Sequence, residues 1–181
     1  LGIERGDVVL DVCAAPGTKT LQLANLVGVN GFVYASDLSP DRVSFGQKDE
    51  KRHRKKNIKW SLKDARKDTY VIADKILIDA PCSGTGVIGR RTDIRWRRRE
   101  SDLKKFANLQ LSIINNCSKY LKIGGALVYA TCSIEPEENL MVVDNFLNLN
   151  SNFVVDKIPK NVPRQWVNDN KALNVFPHQH G

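Results

Sequence analysis

Apolar residues in this chain fall into short, dense runs separated by turns and by stripes with helical spacing. Residues 8–13 (Val-Val-Leu-Asp-Val-Cys) have the length and density of a buried strand. A Gly/Pro turn follows, and the periodic stretch Leu21 to Val27 predicts a helix. Gly31 opens a second strand over residues 32–37, and Ser39-Pro40-Asp41 starts a second helix, proline being comfortable in a first helical turn. A third strand is expected near Ile58 to Leu62, ending at Asp64, and a fourth from Lys75 to Asp79 runs directly into Ala80-Pro81-Cys82. Residues 101–121 place Leu103, Phe106, Ile113, Ile114, Cys117 and Leu121 on one helical face, with the Gly124-Gly125 pair ending that helix. Ala126 to Thr131 reads as a fifth strand, and Glu135-Pro136-Glu137-Glu138 opens another helix where the macrodipole favours acids. Phe153 to Val155 predicts a sixth strand, followed by a loop-like tail from Lys157. Strands alternating with helices imply an α/β fold, a mostly parallel, doubly wound sheet flanked by helices with right-handed crossovers.

In such a sheet, ligands lie at the carboxyl ends of the strands near the topological switch point. That is where Asp11, Asp37, Asp64, Asp79, Cys82 and Cys132 fall. Aspartate and a buried thiol are not interchangeable turn formers, so turn chemistry alone does not account for the set. Gly17, in the turn after the first strand, lets the backbone pass close to a ligand. Neither GxGxxG nor a Walker pattern is present, which disfavours phosphate gripping of the nucleotide-hydrolase type. Asp37 fits a carboxylate that accepts both ribose hydroxyls, and Asp64 either an acceptor for an adenine amine or a helix cap. A dehydrogenase remains compatible with these acids alone.

Composition narrows the class. A chain of 181 residues with 41% hydrophobic and 27% charged residues suits one globular domain over residues 1–181. Apolar runs long enough for a bilayer and a secretory signal are both missing, so no membrane association and an intracellular, cytoplasmic location are expected. The four cysteines lack CxxC spacing, and no metal is expected; His178 and His180 read as exposed loop residues. Nothing bears on oligomeric state, and a monomer is the default. The net charge of +8 favours a polyanionic partner. Residues 48–59 hold seven Lys or Arg against two acids, and residues 90–99 hold six Arg against one Asp. Trp96 sits within the second run, where indole stacks on an unpaired base while guanidinium groups hold phosphates; Arg90, Arg91, Arg95 and Trp96 are the candidate RNA contacts.

The cysteines point to covalent chemistry. Carbon-5 of a pyrimidine is not nucleophilic in the intact ring, but a thiolate adding at carbon-6 makes it so. Cys117, on an apolar helix face, reads as a core residue. Cys82 and Cys132 each follow a strand end, where helix termini and Lys19 are expected to lower a thiol pKa. Local chemistry leaves open which of the two attacks.

Asp11 to Thr20 (DVCAAPGTKT), Asp79 to Gly86 (DAPCSGTG), Ala130 to Ser133 (ATCS) and Pro136 to Asn139 (PEEN) resemble the RNA cytosine-5 methyltransferases of the RsmB/Fmu/Sun (NOL1/NOP2/Sun) family. Asp93 to Trp96, Leu109-Gln110 and Gly124-Gly125 are similar too. The resemblance implies a Rossmann-like methyltransferase fold with S-adenosylmethionine as cofactor. Cys13, Ala14, Ala15, Pro16, Gly17, Thr18, Lys19, Asp37, Asp64 and Asp79 would border it. It implies Cys132 as nucleophile, Cys82 as the group that assists adduct release, and Asp79 with Lys19 positioning the base and tuning the thiols. The bacterial branch is nearest, which makes 16S rRNA the expected partner, with a tRNA substrate or an inactive RNA-binding module as alternatives. Thr18 stands where many members have a second glycine. The family's N-terminal RNA-binding region and last C-terminal strand are missing, so the chain is expected to be a fragment carrying the catalytic domain.

Overall fold

β1 (Val8–Val12) occupies the centre of a five-stranded parallel sheet, because Val9, Leu10 and Val12 leave no surface for water on either face. The strand order is β3-β2-β1-β4-β5, with β2 (Phe32–Asp37), β3 (Ile58–Leu62), β4 (Ala73–Asp79) and β5 (Leu121–Ala130). The computed structural model describes residues 1–160, 162–170 and 172–176. Its first compact unit comprises residues 1–81 and 112–130 and holds the whole sheet. Val9, Val33 and Ile58 are side by side in register and pack with Leu23, Ala24 and Val27 of α1 (Thr18–Val27). Each such side chain, fully buried, contributes about 1.5–3 kcal/mol.

α2 (Pro40–Arg52) begins as its sequence implies: Ser39 accepts the Arg42 N–H, Pro40 opens the first turn, and Lys51 and Arg52 close the last. Gly46 in its interior has a specific reason. The Trp60 ring of β3 lies against it, and a Cβ there would stand 2.3 Å from Trp60 Cζ2; a Cβ on Gly17 would stand 3.0 Å from the same atom. In an exposed helix Gly→Ala stabilises, yet Gly46→Ala is expected to destabilise by about 1–3 kcal/mol because the indole must move. Urea unfolding measures this, and a variant as stable as the parent would refute it.

Two sequence-based expectations are overturned. α4 (Glu100–Cys117) ends at Cys117, and after a single 3₁₀ turn β5 begins at Leu121, so Gly124-Gly125 lie within a strand and do not end the helix. There β5 bulges: Ala73 pairs with Leu121 but Lys75 pairs with Ala126. Gly124 has φ +77°, and a Cβ on Gly125 would stand 2.7 Å from the Asp74 carbonyl oxygen. The second correction concerns Phe153 to Val155, which form no strand. The Phe153 ring packs at 5.0 Å on Phe146 of α5 (Leu140–Leu149) while Val154 is 83% exposed, so the segment is held by a ring contact to a helix and not by strand pairing.

The second unit comprises residues 82–111 and 131 onward. It contains the short α3 (Ile94–Arg97), the start of α4, and α5, whose Val142 and Phe146 are buried. His178 and His180 lie outside the described residues. Among those described, no helix is long and apolar enough to cross a membrane, and no group of three or more metal-ligating side chains occurs.

Candidate active site

Neighbours of β1 come from opposite directions in the chain, β2 on one side and β4 on the other, and this reversal defines the switch point. Asp37 ends β2 almost fully buried. It accepts the Ala15 N–H at 3.2 Å and the Ser39 N–H at 3.0 Å, and the Arg42 guanidinium lies 3.5 Å away. Arg42 also donates to the Ala15 carbonyl. The turn between β1 and α1 is bracketed by Cys13 (φ +60°) and Gly17 (φ +111°), and it contains a cis peptide between Ala15 and Pro16. Burial, with Asp37 behind it, pushes the Cys13 thiol up to about 12, so this cysteine stays protonated. From the first turn of α1, Lys19 Nζ donates to Asp79 Oδ2 at 2.7 Å, at the end of β4. Asp64 follows β3, with both of its oxygens engaged by the Arg66 side chain at 2.8 and 2.6 Å. These bonds hold its carboxyl at about 2.

Asp11 is fully buried in β1, with Thr20 donating to Oδ2 at 2.6 Å while Oδ1 has no partner. Burial raises its carboxyl from 3.8 to about 7. Between those values the folded chain keeps a proton that the unfolded chain has released. The contribution to stability is therefore complete below about pH 4 and is lost as pH rises to about 7. Asp11→Asn is expected to remove this component, flattening the decline in thermal midpoint between about pH 4 and 7. An unaltered slope would exclude Asp11 as its source.

The second cluster is built around two sulfur atoms. Cys82 Sγ and Cys132 Sγ stand 3.1 Å apart as free thiols, although fifty residues separate them. Cys82 is half-buried and Cys132 exposed. The hydrogen bond with Cys132, reinforced by burial, raises the Cys82 thiol above its ordinary value. The lowered pKa expected for these turn cysteines is thus reversed at Cys82. Neighbouring side chains fix both loops. Fully buried Glu138 accepts the Ser83 N–H at 2.8 Å on Oε1 and the Ser83 hydroxyl on Oε2. Gln110 Nε2 donates to the same carboxylate at 3.0 Å. Ser83 Oγ and Thr85 Oγ1 each lie 3.2 Å from Ser133 Oγ, and Gly86 N–H donates to the Cys132 carbonyl. The contact between sulfurs is therefore held by a carboxylate and three hydroxyls one to six residues away in sequence.

Comparison with known proteins identifies the family: the model described as 16S rRNA methyltransferase RsmB/F matches residues 1–181. The chain belongs to the RsmB/F family of 16S rRNA methyltransferases. It is 44% identical over 149 residues to the ribosomal RNA small subunit methyltransferase B of Klebsiella pneumoniae (strain 342), covering 80% of this chain and 34% of the relative. It is 36% identical over 184 residues to the probable enzyme of that name from Bacillus subtilis (strain 168), covering 97% of this chain and 41% of the relative. The RsmB/F chain thus spans between a third and a half of the length of these relatives. Its structure is similar to that of PH0851, with a TM-score of 0.90 and 34% identity, covering 98% of this chain and 41% of the other. NSun6 from Pyrococcus horikoshii with SFG gives 0.72 and 38%, covering 79% and 37%. The parallel sheet flanked by helices is the Rossmann-like methyltransferase fold.

The arginine run of this RsmB/F chain divides by role. Arg90, Arg91, Arg95 and Trp96 are exposed, Trp96 at 88%. Arg98 instead donates from Nε to the Ser83 carbonyl at 3.2 Å and lies over the Phe106 ring, so it braces the Cys82 loop. Sequence reasoning also missed Glu138, whose place in a first helical turn reads equally well as a dipole complement, and Arg42 and Arg66, which hold Asp37 and Asp64.

Proposed function

We propose that this chain carries the catalytic domain of an enzyme that transfers a methyl group from S-adenosylmethionine to carbon-5 of a cytosine in small-subunit ribosomal RNA, in the cytoplasm. The observation that carries the reading is the 3.1 Å contact between Cys82 and Cys132. A pair of thiols in contact offers one group to attack and a second to manage protons. The first unit fits the cofactor: Asp37 has carboxylate lone pairs for ribose hydroxyls, Asp11 Oδ1 lacks a partner, and Pro16 and Thr18, on either side of buried Gly17, are exposed. Cys13 to Lys19, Asp37, Asp64 and Asp79 are the residues that would hold it. S-adenosylmethionine supplies an electrophilic methyl group on a sulfonium centre.

Cys132 acts as the nucleophile. A Cys82 thiol that retains its proton donates to a Cys132 thiolate, which places the reactive anion on the exposed sulfur. The thiolate forms a bond to carbon-6 of cytosine and leaves carbon-5 electron-rich. Once Cys132 is a thioether, the largest influence holding the Cys82 proton is gone; Cys82 releases that proton to solvent and, after carbon-5 has bonded the methyl carbon as the methyl–sulfonium bond breaks, accepts the carbon-5 proton as a thiolate. The carbon-6–sulfur bond then breaks, the ring double bond returns, and Cys132 leaves as thiolate. Lys19 and Asp79 are proposed to engage the base, and Arg90, Arg91, Arg95 and Trp96 the flanking RNA, which must be unstacked for carbon-6 to be reached.

Incubation with methyl-labelled S-adenosylmethionine and a small-subunit rRNA fragment, followed by mapping of the label, tests the reading. Label on carbon-5 of cytosine is the expected result. Label on a nitrogen, or on tRNA alone, overturns the assigned chemistry or substrate, and RNA binding without transfer would make the chain a binding module.

A further inference from the structure

In a parallel sheet both faces are ordinarily covered, each crossover supplying a helix. One crossover here does not. Residues 63–72, between β3 and β4, contain no helix. α1 covers the face bearing Val9, Val33 and Ile58. The opposite face bears Leu10, Tyr34 and Lys59, in register across β1, β2 and β3. Over that face lies a cavity of about 280 Å³ lined by Leu10, Tyr34, Lys59, Ser61, Lys63, Thr69, Tyr70 and Val71.

The lining is unlike either a bare core or a uniformly solvated surface. Leu10 lies beneath the cavity with no exposed surface of its own, Tyr34 and Tyr70 contribute aromatic rings, and two lysines are present without an acid. The Phe32 ring lies 5.0 Å from that of Tyr34, extending the aromatic surface along β2. Lys63 Nζ sits 4.9 Å from the centre of the Tyr70 ring, and the Tyr70 hydroxyl is 3.2 Å from Ser36 Oγ, so the loop residue is held against the sheet. Lys59 is exposed on the edge strand. Aromatic rings on a strand surface with flanking cations suit a single-stranded nucleic acid, whose bases stack while its phosphates meet the lysines.

We propose that this face is a second nucleotide-binding site, taking one unpaired base of the RNA against Tyr34 and Tyr70 with the adjoining phosphates on Lys59 and Lys63. The cavity lies near the lower end of the size range of small-ligand pockets, sufficient for a single base. It lies at mid-strand, so it would hold a nucleotide other than the one being modified. Charge complementarity selects the occupant: a lining with two cations and no anion favours a phosphodiester chain over a neutral or basic protein segment. The proposal rests on the reading that the chain acts on RNA.

The test uses the full chain and a fluorescein-labelled oligouridylate, with affinity read by anisotropy at several salt concentrations. Lys59→Glu with Lys63→Glu is expected to weaken binding by roughly tenfold or more and to reduce the salt dependence, and Tyr34→Ala by roughly fivefold or more. Lys59 is exposed and its side chain makes no hydrogen bond or ion pair among the described residues, so Lys59→Glu alone is expected to leave thermal unfolding unchanged and to weaken binding, which keeps the proposal testable if Tyr34→Ala or the Lys63 reversal perturbs the fold. Wild-type affinity unchanged in both variants overturns this pocket while leaving the RNA reading intact. No affinity in the wild type overturns both. Self-association that the charge reversals abolish, without change in RNA affinity, assigns the face to a second copy of the chain and overturns the proposal.

Discussion

Cys82→Ala is expected to yield a protein–RNA adduct that survives denaturing electrophoresis, while turnover falls by a thousandfold or more, on the order seen when a covalent catalyst loses one member of its site. The sulfur that remains, Cys132, is exposed and still able to add to carbon-6. What the variant lacks is the sulfur 3.1 Å away that is proposed to accept the carbon-5 proton, so the methylated adduct is expected to accumulate. Cys132→Ala is expected to lose turnover to a similar extent without any adduct, and the double variant to behave likewise. An adduct formed by Cys132→Ala but not by Cys82→Ala would exchange the two roles. The exposure of Cys132 beside a half-buried Cys82 argues against that exchange, because the attacking sulfur must reach carbon-6 of the base.

The extent to which this site was legible in the sequence follows from the range of the forces involved. Strands β1, β2 and β4 announce themselves through short apolar runs, since a largely buried strand has little polar alternation to confuse the pattern, whereas the edge strand β3 mixes exposed Lys59 with buried Ile58. The junction of α4 and β5 was misread because a glycine pair marks a helix end and a strand bulge equally well. Only the pairing of Lys75 with Ala126, a contact distant in sequence, distinguishes the two. Phe153 to Val155 has strand propensity, but propensity yields to the ring contact with Phe146. The meeting of Cys82 with Cys132 is a tertiary fact that no local pattern encodes; motif resemblance brought the two residues together before the geometry did. Burial was legible least of all. Asp11 looks like any other strand-end acid until its environment raises its carboxyl to about 7. The cavity beside Tyr34 likewise follows from a missing helix in residues 63–72, a stretch that reads simply as a loop.

Glu138 carries the largest expected effect on stability. Its carboxylate has no exposed surface and receives the Ser83 N–H, the Ser83 hydroxyl and the Gln110 amide. Removing it leaves these donors buried with a lost acceptor, and an orphaned buried donor costs about 1–3 kcal/mol. Glu138→Ala is therefore expected to destabilise the chain by about 3–5 kcal/mol in chemical unfolding, the cavity adding to the lost bonds. Glu138→Gln is nearly isosteric and keeps one carbonyl oxygen for the Ser83 N–H, while its amide group faces the Ser83 hydroxyl in place of an acceptor. Its cost is expected to be smaller, about 1–2 kcal/mol, corresponding to one rearranged hydrogen bond. The two variants together separate packing from positioning. Ser83 follows Cys82 directly, and its hydroxyl reaches the Ser133 hydroxyl next to Cys132, so a change at Glu138 reaches both sulfurs through one serine. Glu138→Gln at a temperature where it is fully folded should thus transfer methyl groups more slowly than the parent with its affinity for S-adenosylmethionine retained. If Glu138→Gln matches the parent in rate, the carboxylate serves stability alone and the sulfur contact is held by the backbone around it.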